Sequence, residues 1–171
     1  MQIFRVDILR HQLRDAFIYW CVIPAIVIGS GYLLDRFFCF ASIAPPGWLI
    51  FTAFACLVIG CGIIYQATVD VTRYGHGTPN PRRPPKKLVT QGIYGYCRHP
   101  MFFGYDLAAL GVALLLWSPS LLLISYPLFL FLEVRFLRSE EHYLARRYGE
   151  KFLYYQKKVP FLLPFISIRW R

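Results

Sequence analysis

"GWLIFTAFACLVIGCGIIYQATV", residues 47–69, runs for 23 positions without a charge. A helix rises about 1.5 Å per residue and the hydrocarbon core of a bilayer is about 30 Å thick, so this stretch is long enough to cross one. A second stretch, "AFIYWCVIPAIVIGSGYLL" at 16–34, is uncharged over 19 positions. It is too long for the apolar region of a signal peptide, and no small-x-small cleavage site follows it cleanly. Residues 101–117 and 119–134 are two further apolar stretches separated by Ser118–Pro119, which suggests two short spans in a tight helical hairpin. The whole chain has 171 residues, 57% of them hydrophobic, more than a single soluble core of this size hides. The expectation is an all-α integral membrane protein, a single domain over 1–171 with four transmembrane helices near 16–34, 47–69, 101–117 and 119–134.

The basic residues test that topology. Lys and Arg number three in residues 1–15, one in 35–46, six in 70–100, none in 118–120 and nine from Arg135 onward. Four spans place 18 of the 19 on one side, so both termini and the 70–100 loop are expected in the cytoplasm. The formal charge of +10 therefore needs no nucleic acid as a partner, and attraction to anionic membrane lipids follows from it. Five cysteines lie scattered without a CxxC pair, which argues against structural disulfides and a zinc site. No metal is expected.

Polar chemistry collects in two cytoplasmic segments. Residues 73–100, "RYGHGTPNPRRPPKKLVTQGIYGYCRHP", carry five prolines, counting Pro100, and four glycines, so they cannot form one regular helix. The apolar and aromatic residues of their second half argue for an ordered loop. Pro100 holds His99 extended and opens the following helix, which puts Arg98 and His99 at its N-terminal mouth. Such a mouth favours a negatively charged group, and a lipid-headgroup anchor is the plainer alternative. Asp106 and Glu133 are carboxylates inside apolar stretches, costly unless they meet water, a partner or a functional cavity. Glu133 is expected to pair with Arg135 or Arg138, and Asp106 to face the polar mouth. In residues 138–165, Leu137, Leu144, Tyr148, Phe152 and Tyr155 share one helical face. Glu141 falls within that face and Glu140 at its edge. A site for a positively charged ligand is one reading of this acidic pair, salt bridges to nearby arginines the other, and Gly149 is the place for the helix to end or bend.

Three pieces together resemble the isoprenylcysteine carboxyl methyltransferases and their phospholipid methyltransferase relatives: "GHGTPNPRRPPKKLV" at 75–89, "LVTQGIYGYCRHPMFFG" at 88–104 and "SEEHYLARRYGEKFLYYQKKVPFLLP" at 139–164. The resemblance covers roughly residues 70–165, and the 75–89 piece looks like bacterial members. It implies S-adenosylmethionine as cofactor, in a cytoplasmic site formed by the 70–100 loop and a C-terminal amphipathic helix. A lipid or lipid-attached acceptor would arrive from the bilayer. By that resemblance Leu88, Val89, Tyr94, His99, Pro100, Met101 and Phe102 line the cofactor pocket, and Glu140 holds the cofactor from the C-terminal side. The family usually has tyrosine where Phe102 stands. A substrate-binding arginine precedes the acidic pair in the prenylcysteine enzymes, a position near both Arg135 and Arg138.

The residue types fit that chemistry on their own terms. S-adenosylmethionine has two cationic groups, a carboxylate, a diol and a flat adenine. Glu140 or Glu141 suits the cations or the diol, Arg98 and His99 the carboxylate, and the aromatic-rich loop the adenine and sulfonium. Methyl transfer is an in-line displacement, governed mainly by how two reactants are held. A carboxylate acceptor needs no general base, whereas an amine acceptor does, and His99 or Glu141 is placed for it. Arg98 and Glu141, together with Arg135 as the resemblance implies, are the candidate catalytic residues. Two other readings compete: a sterol-reductase-like enzyme with a nicotinamide cofactor, whose C-terminal region also carries Arg-His-Pro, and a non-catalytic membrane protein.

Overall fold

The computed structural model describes residues 21–40, 44–77 and 85–163, and the described residues form helices joined by short turns. The basic N-terminal residues, positions 16–20 of the first expected span, residues 78–84 of the loop and the tail from 164 lie outside them.

Helix α1 spans Ile23–Phe37, with Pro24 in its first turn. Helix α2 spans Gly47–Gly75, and its 29 residues measure about 43 Å. Among the described residues α2 alone is long and apolar enough to cross a membrane. It runs six residues past the span expected at 47–69, so positions 70–75 are helix rather than loop. Nothing interrupts the helix until His76, which takes a left-handed φ of 52°. The extension carries Asp70 and Arg73 beyond the neutral run. Large apolar side chains point outward, Leu33 68% and Phe51 80% exposed, an apolar surface of the kind that marks a membrane or partner contact.

Helix α3, Pro100–Leu116, packs along α2 through small residues. A Cβ on Gly60 would stand 2.5 Å from the Gly104 carbonyl oxygen, and one on Gly111 would stand 2.7 Å from that of Ala53. The two backbones touch, the close approach that small residues on both helices allow. Trp117, at φ 47°, ends α3. The hairpin expected at Ser118–Pro119 is present, and α1 clasps it. Asp35 accepts a hydrogen bond from the Ser118 hydroxyl and one of 2.9 Å from the Ser120 amide.

The chain then continues through a π-helical turn, Leu121–Ser125, into helix α4, Tyr126–Tyr148. The expected fourth span and the cytoplasmic helix after it are thus one unbroken rod, because no breaker stands between Pro127 and Gly149. Gly149, at φ 58°, stops it, and helix α5 follows over Glu150–Lys158. The face expected from Leu137 to Tyr155 is shared across that break. Leu137, Phe152 and Tyr155 are buried, and Leu144 and Tyr148 half-buried.

One expectation fails. Glu133 does not pair with Arg135 or Arg138. Positions two apart on a helix do not face each other, and five apart is little better. Arg135 is exposed, its guanidinium 6.0 Å from the Phe131 ring. Glu133 instead turns inward to α3, where its carboxyl meets that of Asp106.

Candidate functional site

The site begins at Arg98. Its Nε donates to Glu141 Oε1 at 2.6 Å and its Nη2 to Oε2 at 3.3 Å, a two-point pairing of nearly buried groups. Its Nη1 donates to the carbonyls of Gln156, at 2.7 Å, and Val159, at 2.8 Å. Those carbonyls belong to the C-terminal end of α5, where a helix presents unsatisfied acceptors and partial negative charge. The main chain continues the fastening: the Arg98 amide donates to Pro160 at 2.9 Å and the His99 amide to Phe161 at 3.3 Å. The Phe161 ring lies under the guanidinium, 5.5 Å from its carbon, and edge-on to His99 at 5.0 Å. One arginine thus joins the mouth of α3, the middle of α4 and the end of α5.

Glu141 is saturated. Besides Arg98 it accepts from Gln156 Nε2 at 2.9 Å, and His99 Nε2 lies 3.3 Å from Oε1. Burial pushes its acidity down, but the His99, Gln156 and Arg98 contacts outweigh burial and hold its carboxyl below the ordinary value. Glu140, its neighbour in sequence, has the opposite surroundings. Burial pushes its pKa up, the Glu141 charge adds to that, and the nearby His99 only partly offsets it. Among the described residues Glu140 has no hydrogen-bond partner.

A second clasp orders the loop. Asp70, on the extension of α2, accepts the Ile93 amide at 2.8 Å and the Gln66 side chain at 3.0 Å. Gly92 has a φ of 64°, and a Cβ there would fall 2.0 Å from the Asp70 carboxylate. Only glycine lets the loop press so closely on Asp70. The 3-10 turn Gly92–Gly95 then presents Tyr94, whose carbonyl accepts the Tyr155 hydroxyl at 2.6 Å. Burial raises the pKa of the Tyr94 phenol, so it stays protonated. Val89 packs against Gly75, and the Tyr148 hydroxyl donates to the Pro85 carbonyl at 2.7 Å.

Of the residues expected in the site, Arg98, His99 and Glu141 form one cluster. Pro100, Met101 and Phe102 open α3 beside it, with the Phe102 ring 6.3 Å from His99 and 6.4 Å from Phe136 on α4. Tyr94 is tied in through Tyr155. Val89 and Leu88 lie in the loop that closes on the end of α2, Val89 buried and Leu88 half-buried. Arg135 and Arg138 are exposed and make no contact with the Arg98–Glu141 cluster. Asp70, Tyr155, Gln156 and the 160–161 segment were not legible in advance. Asp70 alone left a trace, as the first charge after the neutral run.

Two turns below Glu140 on the same side of α4 sits Glu133, against Asp106. Each of these buried carboxyls keeps one oxygen, Glu133 Oε1 and Asp106 Oδ1, without a hydrogen-bond partner among the described residues. The Tyr126 hydroxyl donates to the Asp106 main-chain carbonyl at 3.0 Å, fixing α4 to α3 at this level.

Among the described residues the fold is all-helical, with one helix long and apolar enough to cross a membrane and a fastened polar mouth at a helix end. The chain belongs to the phospholipid methyltransferase family, whose model matches residues 48–151, from the start of α2 to the start of α5. It is similar to the protein-S-isoprenylcysteine O-methyltransferase of Schizosaccharomyces pombe, with 39% identity over 94 residues, covering 54% of this chain and 39% of that protein. The Saccharomyces cerevisiae enzyme of the same name is 32% identical over 120 residues, covering 65% and 50%. The human one is 32% identical over 125 residues, covering 70% and 43%. The chain thus spans half or less of the length of these three relatives. No solved structure matches it.

Proposed function

We propose that this chain is an S-adenosylmethionine-dependent methyltransferase acting on a lipidic or lipid-attached acceptor where membrane meets cytosol. The observation that carries this reading is the contrast at Glu140–Glu141. Glu141 is consumed in fastening the site, while Glu140 stands near His99, half-buried and without a hydrogen-bond partner among the described residues.

The residues fit that cofactor. A desolvated carboxylate without a partner suits a cationic or diol group, and Glu140 would hold it. His99 and the positive end of α3 would face the cofactor's carboxylate. Tyr94, Phe102 and Met101, with Leu88 beside them and the buried Pro100 and Val89 behind, would supply flat and apolar walls for adenine and sulfonium. Bound there, the cofactor supplies an electrophilic methyl group. The chain's part is to orient it, to exclude water and to bring the acceptor into line. In this reading Arg98 and Glu141 are positioning residues: they close α5 and the 159–161 segment over the mouth and leave neither group free for substrate. Arg135, exposed on α4, remains the proposed contact for an anionic acceptor, with Arg138 one turn away.

The names of the relatives support a prenylcysteine carboxylate as acceptor. An amine-bearing phospholipid has its own supporting observation, the Asp106–Glu133 pair, because two buried acids with open oxygens suit a positively charged guest better than an anionic one. His99, within reach of the mouth, is then the proton acceptor the amine requires. In either case we place four helices across the membrane, with both termini and the site cytoplasmic. The test is methyl transfer from labelled cofactor to total membrane lipid and protein fractions by the purified full chain. Label in an alkali-labile ester on prenylated protein supports the carboxylate acceptor, and label in a phospholipid base the amine. Label in neither, from a folded chain, refutes the proposal.

A further inference from the structure

A cleft of about 690 Å³ opens between the 86–90 segment and α5, and Glu140 does not line it. Lys86 and Lys87 stand on one wall, and Lys151 and Lys158 on the other. Among the described residues no acidic side chain lines it. The polar groups of its floor are already engaged: the Tyr148 hydroxyl on Pro85, the Tyr155 hydroxyl on Tyr94. Both walls are therefore fixed in place, the loop also by the Lys86 amide donating to the Gly75 carbonyl at 2.8 Å. None of the four ammonium groups joins an ion pair among the described residues. One of them, Lys158, rests 4.3 Å over the Tyr154 ring. Four like charges around one cleft repel each other and raise its positive potential, and a ligand of two or more negative charges relieves both.

We infer that this cleft is a binding site for a phosphate-bearing polyanion. Its charge excludes S-adenosylmethionine, a net cation, as the occupant. Of the residues expected around that cofactor, only Leu88 lines it. Lysine is a point-charge binder of phosphate, which asks for no fixed fork geometry, and the Thr90 hydroxyl adds a donor. The phosphate has two possible sources: the phosphomonoester headgroup of a membrane lipid and a soluble polyphosphate. The inference concerns binding alone and stands whether or not methyl transfer is found.

The test uses the full chain with two probes. Inorganic pyrophosphate is titrated into detergent-solubilised protein by calorimetry. Phosphatidic acid is titrated into protein held in phosphatidylcholine nanodiscs, with the melting temperature read alongside. Lys151→Gln/Lys158→Gln removes one wall of the cleft. Arg146→Gln/Lys157→Gln removes the same charge outside it. Saturable binding is expected for at least one probe, about tenfold weaker in the cleft variant and little changed in the control, the size set by losing hydrogen bonds to a charged group. Binding of phosphatidic acid alone identifies the lipid headgroup as the source, and binding of pyrophosphate as well identifies any accessible polyphosphate. Absence of saturable binding, or equal weakening in both variants, overturns the inference, since bulk charge then explains all attraction. All four positions are exposed, so both variants keep the fold, and matching melting temperatures without ligand verify it.

Discussion

Two carboxylates on one face of α4, Glu141 and Glu133, lie eight residues apart and live in opposite surroundings. Glu141 meets an arginine, a glutamine and a histidine, and every lone pair it offers is used. Glu133 meets another acid, and among the described residues one oxygen on each side goes without a hydrogen-bond partner. A satisfied buried charge pair is a fastener, because removing either member strands the other. An unsatisfied acidic pair adds little to the fold and is open to a guest. The comparison separates what holds the site shut from what could receive a ligand.

Breaking the fastener has the largest expected effect. Arg98→Met leaves Glu141 buried without its cation and takes the Arg98 donor from the Gln156 and Val159 carbonyls, which costs about 3–5 kcal/mol. Denaturant titration of detergent-held protein measures it. Arg98→Lys keeps the charge but not the fork, so it recovers only part of that stability. A lipid-anchor role would leave Arg98→Lys silent. The acid limb gives a matching signature. The folded-state pKa of Glu141 is lowered, so its contribution is complete above the ordinary value of 4.5 and is lost as pH falls through the folded value. This acid sensitivity should shrink but persist in Arg98→Met, where the His99 and Gln156 contacts that also lower the Glu141 pKa remain.

The loop clasp comes next. Gly92→Ala must adopt a left-handed φ and drive a Cβ into Asp70, a strain of about 1–3 kcal/mol before the clash is counted. Faster proteolysis within 85–96 at unchanged helix content is the expected reading. Smallest is Glu133→Gln, which removes one of two facing acids and shifts stability by no more than about 1 kcal/mol. Its activity profile sharpens the comparison. Loss of transfer to amine lipids with ester formation intact would make the pair a guest site. Loss of several kcal/mol in stability would make it a second fastener.

How much of this the sequence disclosed differs by level. The neutral run at 47–69, the hairpin at Ser118–Pro119 and the break at Gly149 follow from charge, proline and glycine, local signals that local rules read. The helix boundary at Gly75 did not, because a helix leaves the bilayer without needing a breaker. At the site the residue types Arg98, His99, Glu140 and Glu141 were legible, but their pairing was not. Helical spacing placed Glu141 within the buried face and Glu140 at its edge, but Arg98 lies 43 positions away in sequence, and no spacing rule names so distant a partner. Glu133 was misjudged for a related reason: its neighbours in sequence point away from it, and its true partner is on another helix. Gln156 and the 160–161 carbonyls carry no signal in sequence, since what Arg98 uses there is mostly main chain.

The central claim is that Glu140 is the open acid of a donor site that Glu141 and Arg98 hold shut. Calorimetric titration of S-adenosylmethionine into the folded full chain tests it most directly, with Glu140→Ala beside the wild type. Binding is expected in the wild type and weaker by about 1.5–3 kcal/mol in Glu140→Ala, the loss of a charge-assisted contact. Because burial raises the pKa of Glu140, wild-type affinity should also fall as pH drops through that raised value and the carboxylate takes up a proton. Glu140→Ala should show no such fall. Equal affinity in the two folded proteins, or a wild type that binds no cofactor at any pH, would contradict the account.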